Sequence, residues 1–354
     1  MPTSPNQTPD VDLDAKIGQM LLLGFRGYEL KADDAIVRDL AERNLGAVVL
    51  FSYDSQLKKF ERNIQSPAQL QALNASLQEY AETPLLITID QEGGIVSRLG
   101  EQFGFPATQP QEFYGMKNDE ALTRAAAEAE GKILREMGIN MNLAPVVDLN
   151  LNPDNPIIGK YRRSFSADPH IVTTQALAEI EGYHAQNILT TLKHFPGHGS
   201  STGDSHQGFV DVTTTWQDIE LEPYRNLIRA GLADSIMTAH IFNANLDPQY
   251  PATLSKKIIT GILRAQLGYE GVVISDDMQM GAIRQYFGFE QAIELAINAG
   301  VDILAIANNL VYEPDVAIRA VNIIRQLVND GKISEQRIDE SYQRIMRLKA
   351  KIKS

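Results

Sequence analysis

Residues 188–206 read ILTTLKHFPGHGSSTGDSH, an apolar run that turns abruptly into a lysine, histidines, glycines, serines and an aspartate. The first part suits a strand buried on both faces, and the second is a loop springing from its carboxyl end. The same pattern recurs along the chain at 46–51, 85–90, 141–147, 235–240, 272–276 and 302–307, each run followed by a segment long enough for a helical crossover. An eighth strand comes from 20–25 or from 209–212, and helical spacing predicts helices at 120–137, 217–230, 289–299 and 334–351. Asp90, Lys193, His194, His240 and Asp276 all fall at or just beyond strand ends, where barrels carry their catalytic groups. No Gly-x-Gly-x-x-Gly follows a strand and no P-loop occurs, so a doubly wound nucleotide-binding sheet lacks its phosphate cradle. The expectation is an α/β chain forming a single (β/α)8 TIM barrel domain over 1–354, with 1–12 a flexible N-terminal segment.

Composition bounds the function. Apolar residues make up 44% and charged residues 22% of 354, enough for one large core. The net charge of -13 repels phosphate backbones, so no nucleic acid partner is expected. There are no cysteines, which removes thiolate nucleophiles and zinc–thiolate sites. The start, MPTSPNQTPD, lacks a basic and apolar leader, and no apolar run approaches a membrane span. A cytoplasmic protein without membrane insertion, cofactor or metal is expected.

The richest stretch holds three of the six histidines in a Gly-rich loop. Asp204, two residues before His206, can hold the imidazole by a hydrogen bond and raise its basicity, which makes an acid/base dyad. The bland alternative is a loop whose histidines only cap or pack. The glycines also suggest a loop that moves in and out. In 272–278, VVISDDM, an apolar strand ends in two carboxylates, and burying one of them there needs a reason. Helix capping is the competing explanation, and strand alternation leaves open whether Asp276 or Asp277 faces the cavity. In 90–98, DQEGGIVSR, Asp90 can accept hydrogen bonds from sugar hydroxyls and Arg98 can donate them, unless the two merely brace the loop as an ion pair. The arginine pair in 161–165, YRRSF, reads by itself as surface charge. Aromatic residues such as Tyr161, Phe165, Phe195 and Trp216 could stack on a sugar, but core packing is the favoured role for each, and they are left out of the site.

Together KHFPGHG with a following DSH at 193–206, VISDDM at 273–278, DQEGG with Arg98, and RSFSADP at 163–169 resemble family 3 glycoside hydrolases, in particular the single-domain bacterial β-N-acetylglucosaminidases. Order and spacing match over nearly the whole chain. The resemblance implies a TIM barrel, Asp276 as nucleophile, His206 as acid/base and Asp204 as its partner. It also implies that Asp90, Arg98, Arg163, Lys193 and His194 bind the sugar. The substrate would carry N-acetylglucosamine at its non-reducing end, with peptidoglycan fragments as a source. The chain departs from the pattern at Ile95, where an arginine is usual, and in extra residues within 160–162.

Within the family, a β-glucosidase or a phosphorylase is the alternative. From other classes, a metallohydrolase would gather His194, His198, His206, Asp204, His240 and Asp276 around an ion, but the usual two-histidine signature at a first strand is missing. A non-catalytic sugar-binding protein would keep Asp90, Arg98 and Lys193 but has no use for the dyad.

Overall fold

A computed structural model describes residues 11–352 of the chain. Eight short parallel strands form its centre: β1 (Leu21–Gly24), β2 (Ala47–Leu50), β3 (Leu86–Ile89), β4 (Met141–Asn142), β5 (Leu189–Phe195), β6 (Ser235–Thr238), β7 (Val272–Ile274) and β8 (Leu304–Ile306). They are ordered β7-β6-β5-β4-β3-β2-β1-β8, and the ring is completed between its two ends. There the amides of Asp302 and Ile303 both donate to the Val273 carbonyl at 2.8 and 3.0 Å, and Ser275 donates to the Ile303 carbonyl at 2.9 Å. The expected TIM barrel is therefore present. Of the two candidates for the eighth strand, 20–25 supplies β1, whereas 209–212 contributes only an isolated bridge from Asp211 to Phe242.

Every residue of the strands is buried, which explains why they read as continuous apolar runs rather than alternating ones. The run at 141–147 gives only a two-residue strand, but its pairing with β5 resumes beyond Pro145 as a parallel bridge from Val146 to Lys193. Helices begin where the sequence offers caps. Ser66 accepts from Gln69 N ahead of Pro67, Asp119 from Ala121 N and Leu122 N, Asp168 from His170 N ahead of Pro169, and Ser334 from Arg337 N. The expected helix at 217–230 is interrupted: a 3-10 turn, Asp218–Leu221, precedes the helix Glu222–Arg229. Asp12, assigned to the flexible leader, stands at the start of the first helix, Leu13–Gln19, where its carbonyl accepts from Lys16 N at 3.0 Å, while residues 1–10 lie outside the described part.

The β7–β8 seam is fixed from below by a buried carboxylate. Asp302 accepts from Arg264 at 2.7 Å, Arg337 at 3.0 Å, Arg344 at 3.2 Å, Ser341 at 2.8 Å and Val273 N at 3.0 Å. The C-terminal helix Glu335–Lys349, which supplies Arg337, Ser341 and Arg344, is thereby tied to the barrel. Among the described residues no helix is long and apolar enough to cross a membrane.

Candidate active site

A cavity of about 390 Å³ opens at the carboxyl ends of the strands. Leu22, Val49, Met237 and Ala305, from β1, β2, β6 and β8, form part of its lining. All eight residues singled out from the sequence line it: Asp90, Arg98, Arg163, Lys193, His194, Asp204, His206 and Asp276.

The buried end is a charge network. Lys193 is 2% exposed, and its Nζ lies 2.8 Å from Asp90 Oδ1 and 2.6 Å from Glu92 Oε1. Arg163 donates to both oxygens of Glu92, at 2.7 and 2.8 Å, the planar two-point geometry only an arginine offers. Arg98 donates to Asp90 Oδ2 at 3.2 Å. Burial opposes ionisation of Asp90 and Glu92. The neighbouring cations outweigh it, holding Asp90 well below the usual carboxylate range and Glu92 at about 2. The arginine pair read by itself as surface charge, but Arg163, which the resemblance assigns to sugar binding, is buried here.

Beside this network stands His194. Its Nδ1 is 2.7 Å from Asp148 Oδ2, and Arg163 Nη2 lies 3.4 Å from its Nε2. An ionised carboxylate only accepts and a guanidinium only donates, so Nδ1 carries the proton and Nε2 the lone pair. Asp148 also accepts from the backbone amides of His194 and His198. Both Asp148 and Glu92 escaped the sequence reading, although each carried the signal used for Asp90: a carboxylate directly after an apolar strand run, or within the same motif.

The groups expected from the sequence to react, His206 with Asp204 and Asp276, complete the lining. His206 Nδ1 donates to Asp204 Oδ1 at 2.8 Å, and its Nε2 makes no hydrogen bond among the described residues. The imidazole is half exposed. Its partial burial disfavours the cation, but the Asp204 hydrogen bond and the charge of Asp276 outweigh that, and its pKa is raised. The His206 hydrogen bond in turn lowers Asp204 to about 2.

Asp276 and Asp277 differ sharply. Asp277 Oδ1 accepts from Gln279 N at 3.1 Å and Ala307 N at 3.0 Å, capping two loops, and burial pushes its carboxyl up to about 6. Asp276 Oδ1 accepts only the Asp277 amide, at 2.8 Å, and Oδ2 meets no donor among the described residues. Burial works against its charge, yet His240, His194 and His206 around it hold it below the usual carboxylate range. His240 itself is anchored by Thr253 and the Asp277 carbonyl, and burial lowers its pKa.

The histidine loop is more firmly seated than its glycines suggest. A Cβ on Gly199 would fall 1.6 Å from the Leu149 carbonyl oxygen, so glycine is needed there for close packing rather than for motion. Asn155 donates to the His198 carbonyl at 2.8 Å and to Ser201 Oγ at 3.0 Å, and Asn152 donates to the Ser201 carbonyl at 2.8 Å. Ser200 Oγ donates to buried Glu220 at 2.6 Å. His198 lies between Ser201 and Ser205, and burial lowers it to about 4, so it braces the loop as a neutral ring. Among the described residues no three histidine or carboxylate side chains converge on one metal position. Ile95, the departure from the expected arginine, is 66% exposed and outside the cavity lining.

Residues 12–348 match the family description "Glycosyl hydrolase family 3 N terminal domain". The chain is similar to the beta-hexosaminidase of Xylella fastidiosa strain M23, with 38% identity over 314 residues, 86% of this chain and 87% of that protein. It is 34% identical to beta-hexosaminidase A of Pseudoalteromonas piscicida over 95% of its own length, and spans only 60% of that relative. Among solved structures it resembles a glycoside hydrolase family 3 beta-N-acetylglucosaminidase from Paenibacillus sp. FPU-7. The TM-score is 0.88 and the identity 36%, with 97% of this chain and 63% of that one covered.

Proposed function

The chain belongs to glycosyl hydrolase family 3, and from that membership and the cavity we propose a retaining β-N-acetylglucosaminidase that removes terminal β-linked N-acetylglucosamine. The observation that carries the proposal is the pairing of two differently prepared groups in one cavity. These are an ionised Asp276 with an oxygen free of protein donors and a His206 whose free Nε2 is set by the Nδ1–Asp204 bond. The first step breaks the glycosidic bond: Asp276 attacks the anomeric carbon while protonated His206 gives its Nε2 proton to the leaving oxygen. In the second step neutral His206 takes a proton from water. The resulting hydroxide character attacks the same carbon and releases the Asp276 carboxylate, so configuration is retained. An imidazole here does the work usually assigned to a second carboxyl group. Asp90, Arg98, Lys193, His194 and Arg163 hold the sugar hydroxyls and the acyl group in the charged end of the cavity.

Beta-hexosaminidase relatives and a β-N-acetylglucosaminidase neighbour support the choice of sugar. We attach to this reading a cytoplasmic role in trimming peptidoglycan fragments, with residues 12–348 acting as one catalytic barrel. The test is a panel of aryl β-glycosides, N-acetylglucosaminide, glucoside and xyloside, each with and without phosphate. A dominant N-acetylglucosaminide rate, indifferent to phosphate and abolished in Asp276→Ala, is expected. A glucoside preference or a sugar 1-phosphate product would move the protein to another activity of the family, and no turnover of any glycoside would leave a sugar-binding protein.

A further inference from the structure

The cavity has a blind, charged end and an open, apolar one. Lys193, Glu92 and Arg163 at the first are 2%, 6% and 8% exposed. At the second, Tyr53, Tyr161 and Leu310 line the cavity while remaining 37%, 43% and 39% exposed. They come from three separate loops, after β2, β4 and β8. Large apolar side chains left uncovered in a cavity wall mark a binding surface, because leaving them wet gains nothing for the fold.

Tyr161 is the most available of the three. Tyr53 is packed edge-on against Phe60 at 4.9 Å, whereas Tyr161 makes no ring contact and no side-chain hydrogen bond among the described residues. Its position is nevertheless fixed by its neighbours. Lys160 N donates to the Asn155 carbonyl at 3.0 Å, Arg162 N to the Gly159 carbonyl at 2.9 Å, and the Arg162 side chain pairs with Glu112. Arg162 holds a φ of 59°, a left-handed turn that places Tyr161 on the rim and Arg163 in the charged end. The same loop is bonded through Asn152 and Asn155 to the loop that carries His206. Tyr161 and His206 thus stand on two joined loops at the mouth of one cavity.

We infer that Tyr161 is the platform of a leaving-group subsite, its ring taking the face of the second sugar of a β-linked substrate. This assignment rests on the glycosidase reading above. A terminal sugar held in the charged end directs its aglycone toward the opening, past half-exposed His206. The axial C–H groups of a pyranose pack well on an aromatic face. Fixing the aglycone there also fixes the oxygen that His206 must protonate.

The experiment compares two substrates in wild type, Tyr161→Ala and Tyr161→Phe: a β-1,4-linked N-acetylglucosamine disaccharide and N-acetylglucosaminyl β-fluoride, whose leaving group is a single atom. Tyr161→Ala should lower kcat/KM on the disaccharide about five- to ten-fold and leave the fluoride unchanged, with Tyr161→Phe close to wild type on both. An equal loss on both substrates would place Tyr161 in support of the reacting sugar or the loop, and an undiminished disaccharide rate would remove it from the site. Wild type inactive on both substrates would instead sink the glycosidase reading, and this one with it.

Discussion

Asp204 and His206 are two residues apart, so the bond between them is local, and its effect on the acid/base can be measured directly. The bond raises the His206 pKa, and in the proposed mechanism the protonated ring is the form that assists the leaving oxygen. Activity should therefore fall as pH rises through that pKa. Asp204→Asn withdraws the stabilising charge, so the alkaline limb of kcat/KM should move to lower pH, with a larger loss at pH 8 than at pH 5. The pH profile on a β-linked disaccharide checks this, and a limb that stays in place would take His206 out of the acid role. The dyad was legible in the sequence for the same reason that it works: a two-residue spacing brings the groups together whatever the rest of the chain does. Glu92 and Asp148 carried a local signal, a carboxylate at or near a strand end, but nothing local gave them a role. Their importance lies in partners 71 and 46 residues away, Arg163 and His194.

The loops after β4 and β5 behave as one unit. Asn155 is fully buried and satisfies four groups at once: the His198 carbonyl, Ser201 Oγ, and the amides of Ile157 and Ile158 at 3.0 and 2.9 Å. Asn155→Ala leaves the Ile157 and Ile158 amides without partners and takes one partner each from the His198 carbonyl and Ser201 Oγ, at a cost of about 1–3 kcal/mol for each buried group left unpaired. A lower Tm is expected, together with a fall in kcat larger than any rise in KM, because the acid/base loop and the Tyr161–Arg163 segment lose their common anchor. Steady-state kinetics with thermal unfolding would decide it. A variant of lowered Tm with unchanged kcat would confine Asn155 to stability. Element identity was largely readable here, since 289–299 and 120–137 follow helical periodicity closely. What periodicity missed were local interruptions, such as the early end of β4 at Asn142 and the 3-10 turn ahead of Glu222–Arg229.

Closure of the barrel depends on a contact remote from the chemistry. Asp302 gathers Arg264, Arg337 and Arg344 beneath the seam of β7 and β8, and removing one partner of such a buried set leaves the others uncompensated. Asp302→Ala should destabilise the protein by about 3–5 kcal/mol, seen as a lowered denaturant midpoint. At temperatures where it remains folded, turnover should stay near wild type. Asp302→Asn, which keeps one acceptor, should lose less. If both variants unfold like wild type, the seam is held by the strand contacts alone. Asp276 rises from the end of β7, so loss of the seam before global unfolding would appear first as loss of activity.

The sequence by itself determined the strand–helix alternation, because short, largely apolar runs that recur between helical segments are satisfied by strands covered on both faces. It also determined the local pair Asp204–His206 and, through four motifs, the family. Only the tertiary structure decided which of Asp276 and Asp277 is available. Alternation says that the two point apart, while the Ala307 amide that engages Asp277 arrives from β8, 30 residues later. The structure also gave Arg163, which its local pattern alone left as surface charge, a buried partner in Glu92, and placed Tyr161 in the cavity wall rather than in the core. Burial and pairing are properties of the closed barrel, since they depend on which loops the ring of strands brings side by side.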